Sequence, residues 1–138
     1  MLYVIAAPSG AGKTTIVNEI IKLNPEISFS VSATTRKKRA GEIDGKDYFF
    51  FTKDEFRDKI DKNELVEYEV IFNEDYYGTL KSFVEDNIVN NRNVIFDVDV
   101  KGALAIKKIY NDNAKLIFIM PPNVETLKTR LKKRATES

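Results

Sequence analysis

Apolar residues fall along this chain in short blocks that alternate between two periods. "LYVIAA" (2–7) is a compact apolar run with β-branched members and reads as a buried strand. "KTTIVNEIIKL" (13–23) spaces its apolar residues three and four apart, so it reads as a helix, closed by Asn24-Pro25. "ISFSVS" (27–32) alternates like a second strand. The texture then changes. Residues 33–48 are polar, carry five basic residues and two glycines, and read as an exposed loop. "DYFFF" (47–51) is a strand candidate, and Thr52 and Glu55 have the spacing of a capping box for a short helix to about Ile60. "ELVEYEVIF" (64–72) and "DYYGT" (75–79) read as strands.

The first texture returns after residue 80. Residues 80–90 read as a helix with Ser82 and Glu85 as a capping box, and "NVIFDVD" (93–99) as an apolar strand ending in two aspartates. "VKGALAIKKIY" (100–110) is a helix weakened by Gly102. "AKLIFIM" (114–120) is a strand stopped by Pro121-Pro122, and Asn123 caps a last helix, "VETLKTRLKKR". Short apolar strands alternating with helices predict an α/β fold: a parallel sheet with helices on both faces, into which residues 33–80 insert a small α+β unit. No internal repeat or low-complexity segment interrupts this pattern.

Composition narrows the chemistry. The 138 residues suffice for one compact domain with a real core, and 43% hydrophobic with 31% charged residues is ordinary for a globular protein. A net charge of +1 gives no reason to expect nucleic acid or membrane as a partner. With no cysteine and no histidine, disulfides, thiolate metal sites and a histidine base are excluded from this chain. Lysine, arginine, carboxylates, hydroxyls and a borrowed cation remain. No apolar run reaches membrane-spanning length, and the N-terminus leads straight into the first strand, so the expectation is a cytoplasmic protein without a signal peptide.

The stretch "AAPSGAGKTT" (6–15) joins the first strand to the first helix. A strand, a Gly-rich turn and a helix in that order make a phosphate-binding loop. The first helical turn leaves N–H groups unpaired, forming a positive pole that suits an anion, and glycines let the backbone approach phosphate oxygens. The motif G-x-x-x-x-G-K-[ST] is met at Gly12, Lys13 and Thr14, while Ala7 stands at its first position. Ser9, Gly10, Ala11, Gly12, Lys13, Thr14 and Thr15 therefore form the candidate ATP-binding stretch, with Lys13 reaching the β- and γ-phosphates and the Thr14 hydroxyl holding Mg²⁺. The competing reading is an ordinary Gly-rich strand-to-helix turn.

"PSGAGKTT", "SATTRKKRAGEIDGKDY", "VEYEVIFNEDYYGT", "FDVDVKG" and "IFIMPPNVETLKTRLKKRATES" follow one another in an order that strongly resembles the guanylate kinase family, over the whole chain. The resemblance implies a P-loop core (1–32 and 81–125), a GMP-binding insert (33–80) and the start of a lid (126–138), and a reaction in which ATP phosphorylates GMP to GDP, leaving ADP. It assigns the GMP phosphate to Arg36, Arg39, Tyr48 and Tyr77, and the guanine to Ser32, Glu67, Thr79 and Asp99. Asp97 becomes the candidate for Mg²⁺ support, and Arg134 an arginine that reaches the ATP phosphates from the lid; Lys13, Arg36 and Arg134 are the catalytic candidates. The chemistry of the residues agrees. Arginine binds phosphate through two parallel bonds, carboxylates suit the N1–H and N2–H₂ donors of guanine, and hydroxyls suit O6. Adenine lacks those donors, so the carboxylates would reject it.

Bland alternatives stand beside these roles. Glu67 can be an outward strand residue, Asp99 can cap the helix that begins at Val100, and Tyr76 is expected to pack while Tyr77 points the other way. The chain departs from the family at Ala7, at Lys101, and by one additional residue in "EVIFNEDYYG", which bears on the carry-over of Glu67. The family also continues past "RATES", so a fragment, with an uncovered sheet edge that favours association into oligomers, is one expectation. The alternative function is a non-catalytic guanylate-kinase-like module binding a phosphorylated partner. The presence of Gly12-Lys13-Thr14 favours the enzyme.

Overall fold

The computed structural model describes residues 1–7, 13–72 and 74–119, with Lys13 and Thr14 described by their backbone alone. The loop residues Ser9, Gly10, Ala11 and Gly12, the Pro121-Pro122 stop, the helix after Asn123, the start of the lid and Arg134 lie outside the described residues. The chain divides into two compact units, one of Met1–Phe29 with the chain from Arg92 onward, the other of Ser30–Asn91.

The first unit is built on a four-stranded parallel sheet. Its strands are β1 (Leu2–Ala6), β2 (Ile27–Phe29), β7 (Asn93–Val98) and β8 (Ala114–Phe118), in the order β2-β7-β1-β8. β1 and β7 lie inside the sheet and read as continuous apolar runs because both faces are covered: Leu2, Val4, Ile5, Val94, Ile95 and Phe96 are all buried. Helix α1 (Lys13–Leu23) packs Val17, Ile20 and Ile21 against Ile5 and Ile95. Helix α4 (Val100–Tyr110) packs along β1, β7 and β8. Its weak residue Gly102 sits in the first turn, where its N–H donates to the Asp99 carboxylate at 2.7 Å. That side-chain cap offsets the low helix propensity of glycine. At the far end, the Lys107 ammonium donates to the carbonyls of Asn111 (2.8 Å) and Ala114 (2.7 Å), tying the helix to the start of β8.

The second unit carries a mixed sheet of β3 (Ala33–Thr34), β4 (Phe49–Phe50), β5 (Leu65–Ile71) and β6 (Asp75–Leu80), in the order β4-β3-β6-β5. The polar segment 33–48 is thus not a loop from its first residue. Ala33 and Thr34 are fully buried, pairing parallel to β4 and antiparallel to β6. Correspondingly, "ISFSVS" yields a strand only to Phe29. Helix α2 (Lys53–Asp61) opens with the expected capping box: Glu55 N–H donates to Thr52 Oγ1 (3.1 Å) and Thr52 N–H donates to Glu55 Oε1 (2.9 Å). Helix α3 (Lys81–Val89) lacks the box expected of Ser82 and Glu85. β6 runs directly into it through Leu80, and the first helical N–H, that of Lys81, donates to the Glu64 carbonyl at 2.9 Å, so a neighbouring strand end serves where a hydroxyl was expected.

The core of this unit gathers Ala33, Phe56, Leu65 and Leu80, with Phe49, Phe51, Tyr76 and Phe83 against them. Gly78 is what lets β6 come this close. A Cβ there would sit 2.7 Å from the Glu67 carbonyl oxygen, 3.0 Å from Tyr68 Cβ and 3.2 Å from Phe56 Cζ. Gly78→Ala is therefore expected to destabilise the protein by about 1–3 kcal/mol through overpacking against backbone. Denaturant unfolding checks this, and an unchanged midpoint would contradict the packing described.

Candidate functional site

Side chains on a strand alternate between faces, so β6 divides its residues by parity. Tyr76 faces the core: its ring lies 5.1 Å from that of Phe56 and 6.5 Å from that of Tyr68. Tyr77 and Thr79 point the other way, as expected for Tyr77, and share their face with the β5 partners Glu69 and Glu67. Thr79, buried, donates its hydroxyl proton to Glu67 Oε1 at 2.8 Å. The β5–β6 pairing holds one register from Ile71–Asp75 to Glu67–Thr79, with a register shift beyond it between Leu65 and Glu67.

Arg36 follows the buried end of β3, and its backbone is anchored there. Arg36 N–H donates to Thr34 Oγ1 (3.1 Å), which in turn donates to the Tyr76 carbonyl (3.0 Å). Thr35 N–H donates to the same carbonyl (3.1 Å), and Thr35 Oγ1 accepts from Tyr76 N–H (2.9 Å). The guanidinium lies over the Tyr48 ring at 5.1 Å and the Phe50 ring at 5.9 Å. Tyr48 meets Tyr77 edge-on at 6.3 Å. One arginine and two phenols expected at a phosphate are thereby contiguous.

A residue that the sequence reading passed over completes this cluster. Glu42 accepts from Arg36 Nη1 at 3.0 Å and from Nη2 at 2.9 Å, and its Oε1 also accepts from Arg39 N–H at 2.7 Å. The two side chains are only 14% and 20% exposed, which sets this pair apart from the open surface pairs of α2. Its sequence signal was an acid six residues after Arg36, with Gly41 between them. Gly41 has a φ of 87°, and Glu42 N–H donates to the Arg39 carbonyl at 3.1 Å, so the chain turns back on itself there. The rest of the segment is exposed but ordered. Ile43 N–H donates to Asp47 Oδ2 and Phe50 N–H to Asp44 Oδ1.

The Arg36 fork, and then the Arg39 N–H, hold the Glu42 carboxyl down at about 2, while Glu42 raises Arg36 further above its ordinary value. For a carboxyl depressed on folding, the stabilisation is complete above its unfolded pKa of 4.5 and is lost as pH falls from there through about 2. In a carbon-detected NMR titration, Glu42 is expected to stay ionised at about pH 3, where ordinary glutamates are protonated. A midpoint in the ordinary glutamate range would contradict the pairing.

The remaining site residues are placed by their own elements. Ser32 gives its carbonyl to Phe49 N–H at 2.8 Å, and Arg39 is an exposed turn residue whose N–H serves Glu42. Asp99 is the N-cap of α4. Asp97 lies near the end of β7, paired with Ile5 of β1, the strand that leads to the Gly-rich stretch. Lys13, Thr14 and Thr15 open α1. The described residues contain no group of three or more acidic side chains arranged for a metal, and no helix long and apolar enough to cross a membrane.

The sequence model of the guanylate kinase family matches residues 1–138. The chain is 50% identical over 140 residues to the guanylate kinase of Porphyromonas gingivalis, covering 99% of this chain and 73% of that protein. It is 48% identical over 136 residues to that of Salinibacter ruber, covering 99% and 72%. The crystal structure of guanylate kinase from Anaplasma phagocytophilum aligns at a TM-score of 0.67 with 32% identity, covering 99% of this chain and 69% of that one. A parallel sheet with helices and a family match spanning residues 1–138 agree that this chain belongs to the guanylate kinase family.

Proposed function

We propose that the protein is a guanylate kinase: it transfers the γ-phosphoryl group of ATP to GMP, giving ADP and GDP. The observation that carries the reading is the shared face of β5 and β6, which bears Tyr77 beside Tyr48 and Arg36, and, two residues along, Thr79 hydrogen-bonded to Glu67. Two residues along a strand is roughly 7 Å, a span suited to a nucleotide's phosphate and base. In this reading Ser30–Asn91 is the acceptor unit. Arg36, Arg39, Tyr48 and Tyr77 grip the phosphate, while Glu67 and Asp99 accept from guanine N1–H and N2–H₂. Thr79 spends its proton on Glu67 and so orients that carboxylate, leaving O6 to Ser32. Ser9, Gly10, Ala11, Gly12, Lys13, Thr14 and Thr15 cradle the ATP phosphates, and Lys13, Arg36 and Arg134 share the charge of the moving phosphoryl group.

A hard divalent cation suits the donors present. Thr14 and Asp97 would hold Mg²⁺, which takes few protein ligands and keeps waters and phosphate oxygens as the rest of its shell. Bound with ATP, it supplies charge neutralisation at the β- and γ-phosphates. No covalent enzyme intermediate is required, because positioning and charge neutralisation dominate phosphoryl transfer. The cytoplasm is the proposed site of action. Calorimetric titration of the 138-residue protein with GMP and AMP tests the acceptor site. Saturable binding of GMP with at least a hundredfold weaker AMP is expected, and equal affinity would contradict the guanine assignment.

A further inference from the structure

Arg36 has five N–H groups, and its observed bonds to Glu42 and the Lys37 carbonyl occupy both on Nη1 and one on Nη2. The end-on fork belongs to Glu42. The side edge, Nε and the second Nη2 hydrogen, takes no part in these bonds, and the Tyr48 phenol, itself expected at the phosphate, also interacts with the guanidinium. We propose that Glu42 is a positioning residue: it clamps the guanidinium of Arg36 so that its side edge is presented to the acceptor's phosphate.

This inference rests on the reading of Arg36 as a GMP-phosphate ligand. Three observations support it. Glu42 is itself fixed, since Oε1 takes the Arg39 N–H at 2.7 Å as well as Nη1. The guanidinium is also held over the Tyr48 and Phe50 rings. Finally, the pair is largely enclosed rather than a solvent-washed surface contact. A long, flexible arginine is thereby held in one orientation before ligand arrives, so that ordering it adds little to the cost of binding.

Electrostatics alone gives the opposite expectation, and that makes the inference decidable. A negative carboxylate beside the site repels a phosphate dianion, so if charge were its only effect, removing it would tighten GMP binding. If Glu42 acts by positioning, removing it weakens binding. Loss of the partner that orients a metal-binding side chain commonly costs on the order of ten- to a hundredfold, and the same scale is expected for an oriented arginine.

The test is GMP affinity by calorimetry, with steady-state KM values for both substrates, on the wild type, Glu42→Ala, Glu42→Gln, Arg36→Ala and the Arg36→Ala/Glu42→Ala double variant. Glu42→Ala should raise Kd and KM for GMP by about ten- to a hundredfold while KM for ATP stays within twofold, a split that general loosening of the fold would not give. Glu42→Gln keeps an acceptor for Nη1 and the Arg39 N–H but loses the Nη2 leg, so it should fall between wild type and Glu42→Ala. In the double variant the second substitution should add nothing to Arg36→Ala. Unchanged or tighter GMP binding in Glu42→Ala, or additive losses in the double variant, would overturn the positioning role. If Glu42→Ala does not fold, Glu42→Gln decides by the same sign. Failure of the underlying reading looks different: the wild type would not bind GMP, or Arg36→Ala would bind it as well as wild type.

Discussion

Glu67→Gln should weaken GMP binding at least about a hundredfold while leaving the protein folded. Glu67 faces two tasks. Its Oε1 accepts the buried Thr79 hydroxyl, and the carboxylate is proposed to accept from two donors on the guanine edge. A glutamine keeps the first task, because its carbonyl oxygen still accepts from Thr79. It fails at the second, because its NH₂ group would meet donor with donor. Hydrogen bonds to a charged group contribute about 1.5–3 kcal/mol each, and losing two of them corresponds to at least a hundredfold in affinity. Glu67→Ala is the less clean variant, since it would also strand the Thr79 proton in a buried position. Calorimetry with GMP, run beside a thermal melt, checks the prediction. Wild-type affinity in a folded Glu67→Gln protein would remove Glu67 from the guanine site and return it to an outward strand charge.

Phe56→Ala should destabilise Ser30–Asn91 by about 3–5 kcal/mol, comparable to the whole stability of a unit this small. Phe56 is fully buried and is the largest side chain of its cluster, with the rings of Tyr76 and Tyr68 at 5.1 and 6.4 Å. Those two tyrosines lie on the core face of β6 and β5, opposite the face that carries Tyr77, Thr79 and Glu67. A cavity at Phe56 thus removes the support behind the candidate site without touching it. The expected outcome is a transition at much lower denaturant, and GMP affinity recoverable on cooling or with osmolyte. A loss of stability below about 1 kcal/mol would show that the cluster is not the core of this unit.

How much of this was legible in the sequence depended on the range of the interactions. The capping box of α2 was, because Thr52 and Glu55 need only each other. So were β1 and β7, since continuous apolar runs signal strands covered on both faces. Arg36, Tyr48 and Tyr77 were expected as one set of phosphate ligands, and they do lie together, but the Thr79–Glu67 hydrogen bond was not expected, because each side chain was assigned separately to a guanine edge. Other features were hidden for physical reasons. A two-residue strand such as Ala33–Thr34 has no periodicity to read, and its polar threonine bonds to a strand some forty residues away. The alternation of "ISFSVS" is the same on either side of Ser30, so it could not reveal that the chain leaves one sheet there and enters another. The start of α3 is served by the Glu64 carbonyl, a partner invisible to a local rule about serine and glutamate. Glu42 was lost in a segment dominated by its bases, where nothing local separates it from Asp44 and Asp47; only the turn at Gly41 brings it back to Arg36.

The most direct measurement is ADP release by the 138-residue protein with ATP and Mg²⁺, in the presence of GMP, AMP, CMP or UMP, for wild type and Lys13→Ala. The proposed function requires ADP formation that depends on GMP and falls by on the order of 10²–10³ in Lys13→Ala, the loss that follows removal of one transition-state charge donor. ADP formed equally with all four acceptors, or GMP-dependent turnover that survives in a folded Lys13→Ala protein, would contradict it.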